Sequence, residues 1–379
     1  MKVCLIVPHF LPHIGGGEQL YYDIAKGLLK EGFEVRVVTS NSGGVTGHKA
    51  FEDIDTYYFD WKILFGHPVV KKKDLEEHIR WADLVHTTMF TTATKSRRGA
   101  AKYHKPCVIT VHEVIGDKWE WFVSSKLKAF AFRTYEKFIC RQRYAAIHVD
   151  SDATKRDFIR FIGERDNLTR IYLGAHMPPP EDYRNLPVSF RDYFELLPGE
   201  IGFLYYGRPA VNKGIFVLEE AVNRLNRAGK IPNNIKFCWI LSERPEEERA
   251  RLLELIKSHG LERVIKIKPS TERMKLFKII SGADYVVVPS VTEGFGFCAV
   301  EACSLERPVI HSDGGSLPEV VFGRTLSFKN RDPLDLASKL EKVIKKKEEA
   351  FDRIPGKQFD TDKMVQAMIR MYHEVMNGS

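Results

Sequence analysis

Arg208 and Lys213 stand five residues apart in Gly207-Arg208-Pro209-Ala210-Val211-Asn212-Lys213-Gly214, directly after the apolar run Ile201–Tyr206. The run reads as a strand and a helix is expected to begin near Lys213, which puts both cations on a strand-to-helix loop at the carboxyl edge of a sheet. A pyrophosphate needs such neutralisation: Arg supplies a planar fork and Lys a point charge. A second segment, Pro289-Ser290-Val291-Thr292-Glu293-Gly294-Phe295-Gly296-Phe297-Cys298-Ala299-Val300-Glu301, follows the strand-like run Tyr285–Pro289 and opens a helix expected near Gly296. Loop amides joined to a helix N-terminus form an anion site. Glu293 falls on the loop and Glu301 in the second or third helical turn, beside Cys298, Ala299, Val300 and Ala302. An unpaired carboxylate among such neighbours is unfavourable. Glu301 is therefore either turned to the exposed face of its helix or engaged by a hydroxyl-rich ligand, for which a ribose suffices.

The first half is less explicit. His13-Ile14-Gly15-Gly16-Gly17-Glu18 follows the first strand without the GxGxxG spacing, so dinucleotide binding is not supported. His112 ends the strand-like run Ile109-Thr110-Val111 and serves either packing or chemistry. Asp150-Ser151-Asp152 has the Asp-x-Asp spacing of a divalent-metal site. It also precedes a helix expected over Ala153–Phe161, where Ser and Asp cap orphan amides. Capping is the reading the sequence favours, and neither a metal nor a cofactor is expected.

Short apolar strands alternating with amphipathic helices must position these groups, which marks parallel α/β sheets. The chain has 379 residues, more than one ordinary core needs and enough for two domains of roughly 150–200 residues each. Met177-Pro178-Pro179-Pro180-Glu181, running on to Pro187, is read as the linker, because three prolines in a row enter neither a helix nor a central strand. The expected domains are 1–180 and 187–360, with a helix over about 361–379 returning to the first. Two doubly wound domains leave a cleft between the carboxyl ends of their strands, where such sheets bind ligands. No apolar run reaches the roughly 18 residues of a membrane span. The start, Met1–Pro8, reads as a strand rather than a signal peptide, so a cytoplasmic protein is expected. Six cysteines without a CxxC pair read as reduced thiols. Of the net charge of +8, residues 1–180 carry +6.

On these motifs the chain resembles the retaining GT-B fold glycosyltransferases of family 4 (glycosyl transferases group 1). The marks are the Gly207-Arg208…Lys213-Gly214 loop, the Glu293-Gly294-Phe295-Gly296 loop with Glu301 eight residues after Glu293, and Asp313-Gly314-Gly315-Ser316-Leu317-Pro318-Glu319-Val320 one strand later. The resemblance implies two doubly wound Rossmann-like domains facing each other across a cleft, an N-terminal acceptor domain and a C-terminal donor domain. It implies that Arg208 and Lys213 bind the diphosphate of a UDP- or GDP-sugar and that Glu301 holds its ribose. Glu293, with the amides of Gly294, Phe295 and Gly296, would grip the transferred sugar and nearby phosphate. Gly15, Gly16 and Gly17 would let backbone approach the donor, His112 would lie near sugar and phosphate, and Lys268–Thr271 would contact the base. Leu173-Gly174-Ala175-His176 departs from the Asn-Gly loop many relatives have there.

The implied reaction is metal-independent hexosyl transfer with retention at the anomeric carbon, serving glycan biosynthesis. The acceptor is a hydroxyl, lipid-linked or on a growing glycan. An epimerase or phosphorylase on the same scaffold, and a non-catalytic sensor of nucleotide sugars, are the rival readings. A helical stretch from about Lys118 to Tyr144 mixes Phe130, Phe132, Tyr135 and Phe138 with Lys126, Lys128, Arg133, Lys137, Arg141 and Arg143. It reads either as a core-packed helix with a solvated basic face, which the sequence favours, or as a surface for peripheral contact with an anionic membrane. No nucleic-acid-binding module is recognised.

Overall fold

The computed structural model describes residues 1–12, 15–41, 44–64 and 67–378, so His13 and Ile14 of the first glycine loop lie outside the described residues. The chain divides into two compact units, one formed by Met1–Gly174 with Phe359–Ser379 and the other by Ala175–Gln358.

The first unit is built on the strands β1 (Lys2–Ile6), β2 (Glu34–Ser40), β3 (Gly47–Phe51), β4 (Ile54–Phe59), β7 (Leu84–Thr88), β8 (Cys107–Val111), β9 (Ala146–Val149) and β10 (Leu168–Arg170), with β5 (Lys62–Leu64) and β6 (His67–Val69) forming a separate hairpin. Its eight-stranded sheet has the order β10-β9-β8-β7-β1-β2-β4-β3. Every neighbouring pair is parallel except the edge pair of β3 and β4. In β1, Cys4 and Ile6 join a core with residues of the helices Lys72–Trp81, Ala93–Lys102 and Lys126–Arg141. Val3 and Leu5, on the other face, are as fully buried. A strand covered on both sides needs an unbroken apolar run, and this one has it. The helices Gly16–Lys30 and Thr361–Asn377 pack together in this unit. At one crossing a Cβ on Gly27 would come within 2.4 Å of Val365, so glycine sets how closely they approach.

The second unit carries β11 (Ile201–Gly207), β12 (Ile235–Leu241), β13 (Ile265–Pro269), β14 (Tyr285–Val288), β15 (Val309–Ser312), β16 (Gly323–Phe328) and β17 (Asp352–Ile354), in the order β13-β12-β11-β14-β15-β16-β17. Only β17 is antiparallel to its neighbour. The order reverses direction between β11 and β14, which makes the carboxyl ends of those two strands the topological switch point. Both motifs singled out in the sequence leave from there.

Two expectations are corrected. Pro180 does not exclude helix; it is the first residue of the short helix Pro180–Arg184. A proline there loses only an amide that has no intrahelical partner anyway. The stretch 118–144 is not one helix but a 3-10 turn, Gly116–Trp121, followed by Lys126–Arg141. Ser125 starts the second piece, its hydroxyl accepting from the Lys128 amide, as an N-cap does.

Candidate functional site

In the second unit the two loops leaving β11 and β14 are latched together. Gly214 has φ +70°, and a Cβ there would lie 1.7 Å from the Pro289 carbonyl oxygen, so conformation and close approach both demand glycine. The Val291 amide donates to the Asn212 carbonyl at 2.8 Å. Behind them, Gly315 at φ +57° brings its backbone against Glu293, where a Cβ would stand 2.4 Å from the Glu293 oxygen. The Ser316 amide donates to that oxygen at 3.1 Å, and the Ser316 hydroxyl donates to the Phe295 carbonyl at 2.7 Å. The Gly-Gly-Ser segment thus holds the Glu293 loop in shape.

This scaffold brings Lys213 and Glu293 together. The Lys213 ammonium reaches both carboxylate oxygens, at 3.0 and 2.9 Å, and both side chains are mostly buried, 25% and 15% exposed. Burial would push the Lys213 ammonium pKa down; the Glu293 carboxylate more than offsets this, and the net direction is up. Lys213 is therefore a held, permanent cation. Arg208 is exposed on the same loop, and its carbonyl accepts from the Tyr205 hydroxyl at 2.8 Å. The helix expected at Lys213 begins two residues later, at Ile215, after the 3-10 turn Val211–Lys213. Gly294, Phe295 and Gly296 lead into the helix Phe297–Ser304, with Gly296 at φ +96° as its N-cap.

Glu301 lies on that helix and is buried, not turned to solvent. Burial pushes its carboxyl pKa up, while Arg273, 3.5 Å away, pulls it partly back. The Tyr206 hydroxyl lies 3.4 Å from its other oxygen but donates more closely to the Cys298 carbonyl, at 2.7 Å. The sequence reading missed both partners, because Tyr206 lies 95 positions away and Arg273 on a third element. A small cavity of about 30 Å³ is lined by Gly207, Lys213, Pro289, Ser290 and Cys298. The larger one, about 550 Å³, lies at the edge of the sheet against Tyr193 and Lys268–Thr271, the segment expected to contact a base.

In the first unit His112 follows β8 and Asp150 follows the adjacent β9. The imidazole Nδ1 lies 2.7 Å from Asp150 Oδ2. Burial would push the His112 imidazolium pKa down; the Asp150 charge and hydrogen bond outweigh it, aided by Glu18 and Glu113, and the net direction is up. Asp150 is thus the orienting carboxylate of His112. In the Asp-x-Asp triplet it is Ser151 that caps the helix Asp152–Ile162, accepting from the Thr154 amide. Asp152 instead takes Arg170 at 3.2 Å and the Tyr172 hydroxyl at 3.0 Å, so the two carboxylates serve different partners.

Beneath His112 runs a row of buried polar groups, one from each of β7, β8 and β9. His148 Nε2 lies 2.9 Å from the Ile171 carbonyl, which only accepts, so that nitrogen carries the proton. His148 Nδ1 then accepts from the Thr110 hydroxyl at 3.0 Å, and Thr110 accepts from His86 Nε2 at 2.8 Å. His86 Nδ1 is left to accept from the Tyr372 hydroxyl at 2.6 Å. Burial pushes the pKa of both histidines down and keeps them neutral, so one carbonyl sets every proton in the row. The signal for it is a polar residue set after an apolar pair in each of three strands, Leu-Val-His86, Val-Ile-Thr110 and Ala-Ile-His148.

Gly15, Gly16 and Gly17 sit at the start of the helix Gly16–Lys30. Gly15 is extended, and a Cβ on Gly17 would meet nothing within 4 Å. The fold's own packing therefore does not call for glycine at position 17, which leaves room for something else to approach it.

Two Rossmann-like units, with a cation–carboxylate pair at the switch point of the second, define the GT-B class of glycosyltransferases. Residues 14–177 match the family description "Glycosyltransferase Family 4" and residues 193–355 match "Glycosyl transferases group 1". The chain belongs to the glycosyltransferases of family 4. It is 24% identical to an uncharacterised glycosyltransferase of Methanocaldococcus jannaschii over 85% of this chain and 83% of that protein. It is 25% identical to the GDP-mannose:cellobiosyl-diphosphopolyprenol alpha-mannosyltransferase of Xanthomonas oryzae, over 83% of this chain and 79% of the relative. Among solved structures, sucrose-phosphate synthase from Thermosynechococcus elongatus superposes with a TM-score of 0.78 at 20% identity, covering 100% of both chains. Anabaena HepE in complex with UDP and glucose superposes at 0.74 with 16% identity, over 99% of this chain and 100% of that one.

Proposed function

We propose that this glycosyltransferase moves a hexose, with retention of anomeric configuration, from a UDP- or GDP-sugar to a hydroxyl acceptor carried on a lipid or a growing glycan. The observation that carries the reading is the Lys213–Glu293 pair at the carboxyl ends of β11 and β14, with exposed Arg208 on the same loop and buried Glu301 on the helix the second loop opens. HepE, bound to UDP and glucose, and the mannosyltransferase named for GDP-mannose support a nucleotide-sugar donor.

In this reading Lys213 and Arg208 neutralise the diphosphate and Glu301 holds the ribose hydroxyls. Glu293 is the resting counter-ion of Lys213; when phosphate takes over that charge, the carboxylate is released toward the sugar hydroxyls. The amides of Gly294, Phe295 and Gly296 aid the grip on sugar and phosphate, and Gly15, Gly16 and Gly17 admit the donor from the first unit. The bond from the anomeric carbon to the leaving phosphate oxygen breaks. The acceptor oxygen bonds to the same face, and its proton passes to that phosphate. No protein nucleophile and no metal is required, and catalysis is electrostatic and positional. His112, held by Asp150, stabilises charge near sugar and phosphate.

The test is incubation with UDP- and GDP-hexoses, with and without chelator, followed by NMR of the product or of the slowly hydrolysed donor. Released hexose of unchanged anomeric configuration, formed in the presence of chelator, is expected. Inverted product, or nucleotide bound without turnover, contradicts the reading.

A further inference from the structure

The helix Lys126–Arg141 presents an apolar stripe to solvent. Leu127 is 77% exposed, Phe130 64%, Phe138 48% and Tyr135 41%. At 100° per residue, Leu127, Phe130, Ala131, Thr134, Tyr135 and Phe138 share one face. The opposite face holds the helix to its unit through Ala129, Ile139 and Cys140. A contiguous apolar surface of this kind marks an interaction site.

The charges that the helix itself turns outward have one sign. The helix has a single acidic residue, Glu136, and it is turned inward. There its carboxylate accepts from the amides of Ile115 and Gly116 and from the Trp119 indole, each at 2.8 Å. The five other charged residues, Lys126, Lys128, Arg133, Lys137 and Arg141, are all cationic. Helical geometry sets Lys126 and Arg133 along one edge of the stripe and Lys128 along the other. Arg133 also pairs with Asp117, and Lys137 lies over the Phe161 ring at 5.4 Å.

We propose that this helix seats the first unit on an anionic lipid surface. It lies in the plane of the interface, with Leu127, Phe130 and Phe138 sunk to the acyl-chain boundary and the flanking Lys and Arg on the lipid phosphates. An apolar band bordered by cations on both edges fits a flat anionic surface with a hydrocarbon layer beneath. A second copy meeting this face about a two-fold axis would set cations against cations. No helix among the described residues is long and apolar enough to cross a membrane, and this one lies on the surface. The inference goes beyond the transfer reading and does not depend on it.

The test is co-sedimentation of the full chain with vesicles of phosphatidylcholine alone or mixed with phosphatidylglycerol, at low and high salt. The variants are Leu127→Ser/Phe130→Ser, Phe138→Ser alone, and Lys126→Glu/Lys128→Glu. All five side chains are exposed, and unchanged melting and far-UV circular dichroism establish that each variant folds. The wild type is expected to pellet with the anionic vesicles and not the neutral ones. The apolar double variant should bind at least about tenfold less, and charge reversal or high salt should have a comparable effect. Phe138→Ser, at the far end of the stripe, should give a smaller loss. Failure of the wild type to pellet overturns the proposal, as does equal pelleting by all variants. A dimer in sedimentation velocity that the apolar variant abolishes, without vesicle binding, also overturns it and assigns the face to a second copy.

Discussion

The two units hold their candidate groups by opposite means. In the second, two cations and one carboxylate stand on loops that leave neighbouring strands, a second carboxylate lies on the helix one loop opens, and the loops are clamped by backbone contacts at Gly214 and Gly315. The ion pair at its centre is permanent, since Glu293 keeps Lys213 charged. In the first, His112 rests on Asp150 above a row of neutral histidines whose protons are ordered by the Ile171 carbonyl and whose far end is Tyr372 on the last helix. One site is charged and locally encoded; the other is a histidine–carboxylate pair above an uncharged buried row. Substitutions should therefore damage them differently.

The largest effect is expected at the two cations. Arg208→Ala and Lys213→Ala should each lower the transfer rate by about 10²–10³-fold, the loss seen when one charge-stabilising donor is removed. Melting separates them: Arg208 is exposed and its loss should leave Tm unchanged. Lys213→Ala strands the mostly buried Glu293 carboxylate and should lower Tm, because breaking a buried pair is more damaging than removing both partners. Equal melting of the two variants would remove the distinction between held and free cation.

Glu301→Gln comes next. A carboxyl whose folded pKa is raised stabilises the fold below its unfolded value and loses that contribution as pH rises through the folded one. At neutral pH the amide should therefore raise Tm. Nucleotide affinity should fall by roughly 10–100-fold, as for a lost hydrogen bond to a charged group. A carboxylate with no part in nucleotide binding would show the first change without the second.

For His112 the sign is also defined. Its folded pKa is raised, so the imidazolium contributes stability below the ordinary histidine value of about 6.5, lost as pH rises through the raised one. Asp150→Asn should lower the His112 pKa in an NMR titration. The wild type should exceed the variant in stability at acid pH, with the margin closing as pH rises. The smallest effect is expected for Tyr372→Phe, which leaves His86 Nδ1 unpartnered and should lower stability by about 1–3 kcal/mol without changing nucleotide affinity. A change in that affinity would tie the last helix to the donor site and blur the contrast.

The same contrast decides what was legible in the sequence. Arg208, Lys213, Glu293 and Glu301 announce themselves because strand, loop and helix follow one another within a few residues. Lys213 and Glu293 then meet across 80 positions only because β11 and β14 are neighbours. The role of Asp150 was not legible, since its spacing to Asp152 suggests a metal or a cap and its true partner lies 38 positions back. The row from His86 to Tyr372 spans 286 positions, and no local pattern links its ends. The exposed stripe was visible as aromatics among cations, but the inward turn of Glu136 that leaves the helix's own outward charges all cationic follows from the turn Gly116–Trp121 packing beneath it. The triple proline misled because its last member serves as a helix start.

The donor site is tested by calorimetric titration of the full chain with UDP, GDP and ADP, with and without magnesium, on the wild type, Arg208→Ala and Glu301→Ala. One nucleoside diphosphate is expected to bind without metal, and each substitution to weaken it while the protein stays folded. Absence of binding by all three, or binding indifferent to both substitutions, would contradict the assignment of the β11 and β14 loops as the donor site.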